Sequence, residues 1–150
     1  MKETKSQYLT RLFHYWCGRC KVKKPIIVLE DKRIKSPMLI DNWKDEKKVC
    51  MRYNPNIIKN EKKFAIINYI FHEIGHLLHN LPYNTYKQQV KAEREAEKFS
   101  LEMMKKYYPK QYKNFLQYIK EKKILKNLKI TDKLYYDAFK FIKEYKEAEK

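Results

Sequence analysis

The sequence predicts an α+β fold. A small, mostly antiparallel sheet of about three strands packs on a helix bearing His72-Glu73-Ile74-Gly75-His76 and on a glutamate-bearing helix, with additional C-terminal helices. Three observations predict it. Short β-branched or alternating apolar runs fall within residues 26–53. Two long segments of helical periodicity, residues 61–80 and 86–108, come next. Two amphipathic segments, 111–124 and 132–149, follow them.

Taken in order, residues 4–16 place Tyr8, Leu9, Leu12, Phe13 and Trp16 at helical spacing, and Cys17-Gly18 is the expected end of that helix. Pro25 opens a strand over 26–29, and a second covers 38–40. The third, 49–53, alternates: Val49, Met51 and Tyr53 share one face, Cys50 and Arg52 the other. The charged residues 42–48 are its hairpin loop, and Asn54-Pro55-Asn56 is a turn. Leu81-Pro82 stops the helix over 61–80, and the helix over 86–108 ends before Pro109. Asn127 and Thr131-Asp132 separate the last two helices, with Thr131 as N-cap. No repeat or Gly/Ser linker divides the chain, so one domain is expected, with a core at about 26–108 and a C-terminal helical extension at about 110–149.

The 150 residues carry a formal charge of +17, supplied mainly by lysine. A basic surface attracts acidic proteins, membrane heads or nucleic acid. Nucleic-acid readers favour arginine for bidentate base contacts, and arginines are few here, so the charge is a weak indicator of partner. No apolar run reaches the roughly 18 residues of a membrane span, so no membrane partner is expected. The polar N-terminus lacks the apolar region of a secretory signal. Three cysteines without an export signal fit reduced thiols and a cytoplasmic location.

The chemistry concentrates in residues 72–76. On a helix, His72 and His76 lie one turn apart on one face, and can offer two imidazole nitrogens to one Zn2+ ion. Glu73 stands beside them as a general base for hydrolysis. Phe64, Ile66, Ile67, Ile70, Ile74, Leu77 and Leu78 bury this helix, where unpartnered histidines would be costly. Gly75, one of two glycines, costs about 1 kcal/mol in a helix interior and implies close approach of another helix or of substrate backbone. Zinc needs a third protein ligand. His79 lies roughly 10 Å along the helix axis from His72, too far to share one ion. A carboxylate from the next helix is expected, and Glu93, Glu95 and Glu97 compete for the role. Ala92, Ala96, Phe99 and Met103 form its apolar stripe, flanked by Glu95 on one side and Glu93 on the other; helical geometry does not choose between them.

The run H-E-I-G-H-L-L-H followed by E-x-E-A-E-K-F-S resembles the gluzincin metallopeptidases, in particular the ImmA/IrrE-like family, over about residues 47–104. The resemblance implies Glu95, the glutamate directly before Ala96, as third zinc ligand. The family's Asn or Asp is Glu97 here, and its Leu-Leu-Met-Pro continuation is replaced by Leu101-Glu102-Met103-Met104. It implies a zinc-dependent metalloendopeptidase of phage or mobile-element type, acting on a protein or peptide such as a DNA-binding repressor. An extended substrate would pair with the edge of the strand over 49–53. A Tyr or His could stabilise the oxyanion, and Tyr83 and Tyr86 are close in sequence to the motif, but packing at the helix junction is the competing reading for both and neither is singled out.

Two alternatives stand beside this reading: a basic regulatory protein whose zinc helix is structural or inactive, and a DNA-associated protease. Cys17-Gly18-Arg19-Cys20 faintly resembles the start of SprT-like metalloproteases, but those supply a third histidine and none follows His79. With His14 and Cys50, the pair Cys17 and Cys20 has the residue types of a second, structural metal site; plain reduced thiols are the competing reading. Aromatic residues along the C-terminal helices, from Tyr107 to Tyr145, are expected to form core rather than a nucleic-acid surface.

Overall fold

The computed structural model describes residues 2–40 and 47–150. It is α+β, with eight helices and a three-stranded sheet among those residues. The loop expected over residues 42–48 falls mostly outside them. Helix α1 spans Lys5–Arg19, opened by a capping box in which Thr4 and Gln7 satisfy each other's backbone donors. It continues through Cys17-Gly18 rather than ending there. Lys21 (φ 59°) takes the left-handed position instead, and the Lys21 and Val22 N–H groups close the end onto the carbonyls of Gly18 and Cys17. Cys17 is thereby kept on the buried face with Leu9, Phe13 and Trp16.

Strands β1 (Ile26–Glu30), β2 (Met38–Ile40) and β3 (Val49–Tyr53) form a sheet of order β1-β3-β2. The sheet is mixed, not mostly antiparallel: β1 pairs with β3 in parallel, and only β2 and β3 are antiparallel. Asn54 gives the physical reason. Its side-chain amide donates to the carbonyls of Lys32 and Ile34, and its N–H to that of Pro37. Residues 31–37 therefore cross the end of β3, so β1 and β2 lie on opposite sides of it. This corrects the expected substrate edge as well, because β3 is central and paired on both sides.

Asn54 also caps the short helix α2 (Pro55–Ile58), where a simple turn was expected. Helix α3, Lys63–His79, follows and ends at Asn80 in the left-handed conformation. Helix α4, Tyr86–Tyr107, opens with a capping box between Thr85 and Gln88. These two long helices pack closely against each other. A Cβ on Gly75 would stand 3.0 Å from the Ala96 Cα and 3.1 Å from its carbonyl oxygen, so the absence of a side chain is what allows the contact.

The C-terminal segments break more often than periodicity predicts. Helix α5, Pro109–Glu121, stops at Lys123 in the left-handed conformation, and α6, Ile124–Thr131, runs through Asn127. Asp132, not Thr131, caps α7 (Lys133–Phe139) by accepting the Tyr135 N–H; Thr131 donates back to the Asn127 carbonyl. The segment over 132–149 is two helices, because buried Ile142 takes extended backbone before α8, Lys143–Ala148. Six residues apart on one helix, Phe139 and Tyr145 would face different ways. The break brings their rings to 4.9 Å in a common core. The aromatic stripe is thus divided: Phe115, Phe139 and Tyr145 are buried, while Tyr107, Tyr118 and Phe141 are exposed. One buried cluster takes side chains from α1, the sheet, α3, α4 and the C-terminal helices.

Candidate metal centre

The packing of α3 against α4 sets the site. Ile66, Ile67, Ile70, Phe71 and Ile74 bury most of α3, and His72 and His76 emerge one turn apart facing α4. On α4 the buried positions are Ala92, Glu93, Ala96, Glu97, Ser100, Leu101 and Met104. That arc contains Glu93 and Glu97 and leaves out Glu95. The Glu93 Oε1 lies 2.8 Å from His72 Nε2 and 3.1 Å from His76 Nε2. Glu95 is partly exposed and reaches Lys98 at 3.8 Å. The third group at the site is therefore Glu93, and the assignment of Glu95 from family resemblance is corrected. The reason is where the helix faces: Leu101 and Met104 are fully buried, whereas Phe99 and Met103 are only partly so, which turns Glu93 inward and Glu95 outward.

Among the described residues, His72, His76 and Glu93 form the group whose ligand atoms all lie within 4.8 Å of one another. Tetrahedral zinc, with bonds near 2 Å, places its ligand atoms about 3.3 Å apart. The spacing here fits after small side-chain adjustments. Around this group the partners are specific. His72 directs Nδ1 to Glu97 Oε1 at 3.0 Å, leaving Nε2 for the site. Asn68 donates to Glu97 Oε1 at 3.1 Å and to Ser100, and the Tyr145 hydroxyl donates to Glu97 Oε2. The Tyr83 hydroxyl donates to Glu93 Oε2 at 2.5 Å, so Glu93 turns a single oxygen to the histidines.

This environment favours positive charge. Burial alone would lower the His72 pKa, but its bonds to Glu93 and Glu97 raise it to about 10. Burial likewise opposes the Glu93 charge, yet His72 and His76 hold its carboxyl well below the usual carboxylate range. A proton or a metal cation answers the same field. Burial raises the Glu73 pKa, against the pull of the two imidazoles, which suits a proton acceptor. Tyr135 and Phe139 of α7 cover His72, with ring centroids 6.5 and 6.3 Å from it.

The remaining candidates lie elsewhere. His79 is exposed and stacks edge-on to Phe99. Tyr86 is exposed and donates to Asp137 of α7. No three of Cys17, Cys20, Cys50 and His14 bring ligand atoms within 4.8 Å of one another, so the second metal site is not assembled. Cys17 is buried in the α1 core, whereas His14, one turn before it, is exposed.

The sequence sets Glu97 among the competing ligands and Tyr83 beside the motif, but gives neither the partner found here, and Tyr145 is expected only as part of the aromatic core. The spacing of Glu93, Glu97, Ser100, Leu101 and Met104 repeats at three and four residues and was a legible signal for the first. Nothing in the sequence pointed to Tyr145. Comparison with protein-family models, curated proteins and solved structures finds no significant match. Among the described residues, no helix is long and apolar enough to cross a membrane.

Proposed function

We propose that this protein is a zinc-dependent metallopeptidase, with His72, His76 and Glu93 as metal ligands and Glu73 as general base. The reading is carried by the convergence of both Nε2 atoms on one Glu93 oxygen. Three protein ligands leave a fourth position open, the pattern of catalytic rather than structural zinc. A zinc ion bound there supplies Lewis-acid polarisation of a carbonyl and lowers the pKa of water toward 7. Glu73 takes up the proton released during attack and returns it to the leaving amine. Glu97 keeps the His72 tautomer that offers Nε2. Tyr83 holds Glu93 in place. An extended peptide would pair with β2, an edge strand that contacts α3, since β3 has no open edge. A regulatory, repressor-like protein is the substrate class suggested by the resemblance of the H-E-I-G-H and E-A-E-K-F-S segments to the ImmA/IrrE-like family.

One observation favours a second reading, a metal centre that is inactive or closed. His72, His76 and Glu93 are only 8%, 5% and 4% exposed, and Tyr135 and Phe139 pack over His72. The test is metal content together with peptidase activity of wild type and Glu73→Gln. One zinc per chain, with cleavage lost in Glu73→Gln, is expected. One zinc with no cleavage of denatured protein substrates by wild type would establish the second reading instead.

A further inference from the structure

Resting on that reading, we propose that Tyr145 of α8 is a positioning residue of the metal centre. It acts through Glu97 on His72, so that metal binding and docking of α8 stabilise one another. The relay joins α3 and α4 to α8, which is distant from both in sequence. Tyr145 is 3% exposed and donates its hydroxyl to Glu97 Oε2. The other oxygen, Oε1, meets His72 Nδ1 at 3.0 Å and accepts from Asn68 Nδ2 at 3.1 Å. Ser100 completes the network, accepting from the Asn68 amide at 2.9 Å and donating to the Asn68 carbonyl at 3.0 Å.

Packing alone does not ask for this hydroxyl. The Tyr145 ring lies among Phe115 and Phe139, where phenylalanine would fill the same space without burying a polar group. The hydroxyl is kept because Glu97, 1% exposed, needs a donor for its second oxygen. Without it the carboxylate is free to turn, and His72 loses the partner that orients its ring. Whatever strengthens the Glu97–His72 contact, a cation at Nε2 included, must by linkage also favour the docked position of α8.

The experiment compares full-length wild type, Tyr145→Phe, Glu97→Gln and Tyr112→Phe. Tyr112 is the control, because its hydroxyl also ties α5 to α8 through Glu144 but lies away from the site. Zinc affinity is measured by competition with a chromophoric chelator, cobalt(II) spectra report ligand geometry, and limited proteolysis within residues 141–150 reports α8 docking. Tyr145→Phe and Glu97→Gln should each weaken zinc binding by about 10- to 100-fold and alter the cobalt spectrum. Tyr112→Phe should change neither, and zinc should protect residues 141–150 in wild type but less so in Tyr145→Phe. If wild type binds one zinc and Tyr145→Phe matches its affinity and spectrum, the positioning role is wrong and the peptidase reading stands. If Tyr145→Phe fails to fold, an unchanged affinity in Glu97→Gln overturns the positioning role in its place. If wild type binds no zinc, the metal reading falls and this role falls with it.

Discussion

Two positions apart on an α-helix means about 200° of rotation, so Glu93 and Glu95 cannot both face α3. The burial of α4 decides between them, through Ala96, Leu101 and Met104. Glu93→Gln should weaken zinc binding by more than the about 10- to 100-fold typical of losing an outer partner. Glu95→Gln should leave it unchanged, because an exposed pair with Lys98 contributes little. Chelator competition on the two variants checks this, and equal losses would return the question to Glu95. At the same scale, protons compete with metal for His72. Burial disfavours its charge, but Glu93 and Glu97 lift its pKa to about 10. Below that pH the imidazolium must lose a proton to bind metal, so zinc affinity should rise about tenfold per pH unit as pH increases. Calorimetry in buffers of different ionisation enthalpy should detect proton release at about pH 7.5, and no release would contradict the raised pKa.

At the scale of elements, the two glycines make opposite predictions from one residue type. Gly75 faces backbone of α4, and an alanine there would gain about 1 kcal/mol of helix propensity but overpack the crossing by about 1–3 kcal/mol. The net effect should be a loss of stability, with α4 displaced and zinc affinity reduced. Gly18 lies in α1, exposed, with nothing within 4 Å of where a Cβ would stand. Gly18→Ala should therefore stabilise by about 0.5–1 kcal/mol. Urea unfolding of both variants tests the pair; a neutral Gly75→Ala would mean the helices can separate without cost. The need for a close approach at Gly75 was legible from its rarity and its place in an apolar helix. The end of α1 was misplaced at Gly18 because Lys21 supplies the left-handed residue, against its own preference.

Across the whole molecule, the helices past residue 108 are not an appendage to the core. They cover His72 with Tyr135 and Phe139, and they hold Glu97 through Tyr145. Cys17, packed at 0% exposure on the α1 side of the same core, offers a probe of that unity. Burial pushes its thiol up to about 12, so at about pH 8 almost no thiolate is present in the folded state. Alkylation of Cys17 by iodoacetamide should occur only through unfolding, and should be slower than that of half-buried Cys20. Mass-spectrometric rates that match between the two would show α1 opening independently. The sequence by itself determined the α+β class, the two long helices, the need for a close approach at Gly75, and His72, Glu73 and His76 on one helix, because each depends on local periodicity or on residue chemistry. Only the tertiary structure decided the parallel pairing of β1, the choice of Glu93, and the roles of Tyr83, Glu97 and Tyr145. Those depend on how a helix is rotated in the core and on which distant side chain meets it, and neither is written in the spacing of neighbours along the chain.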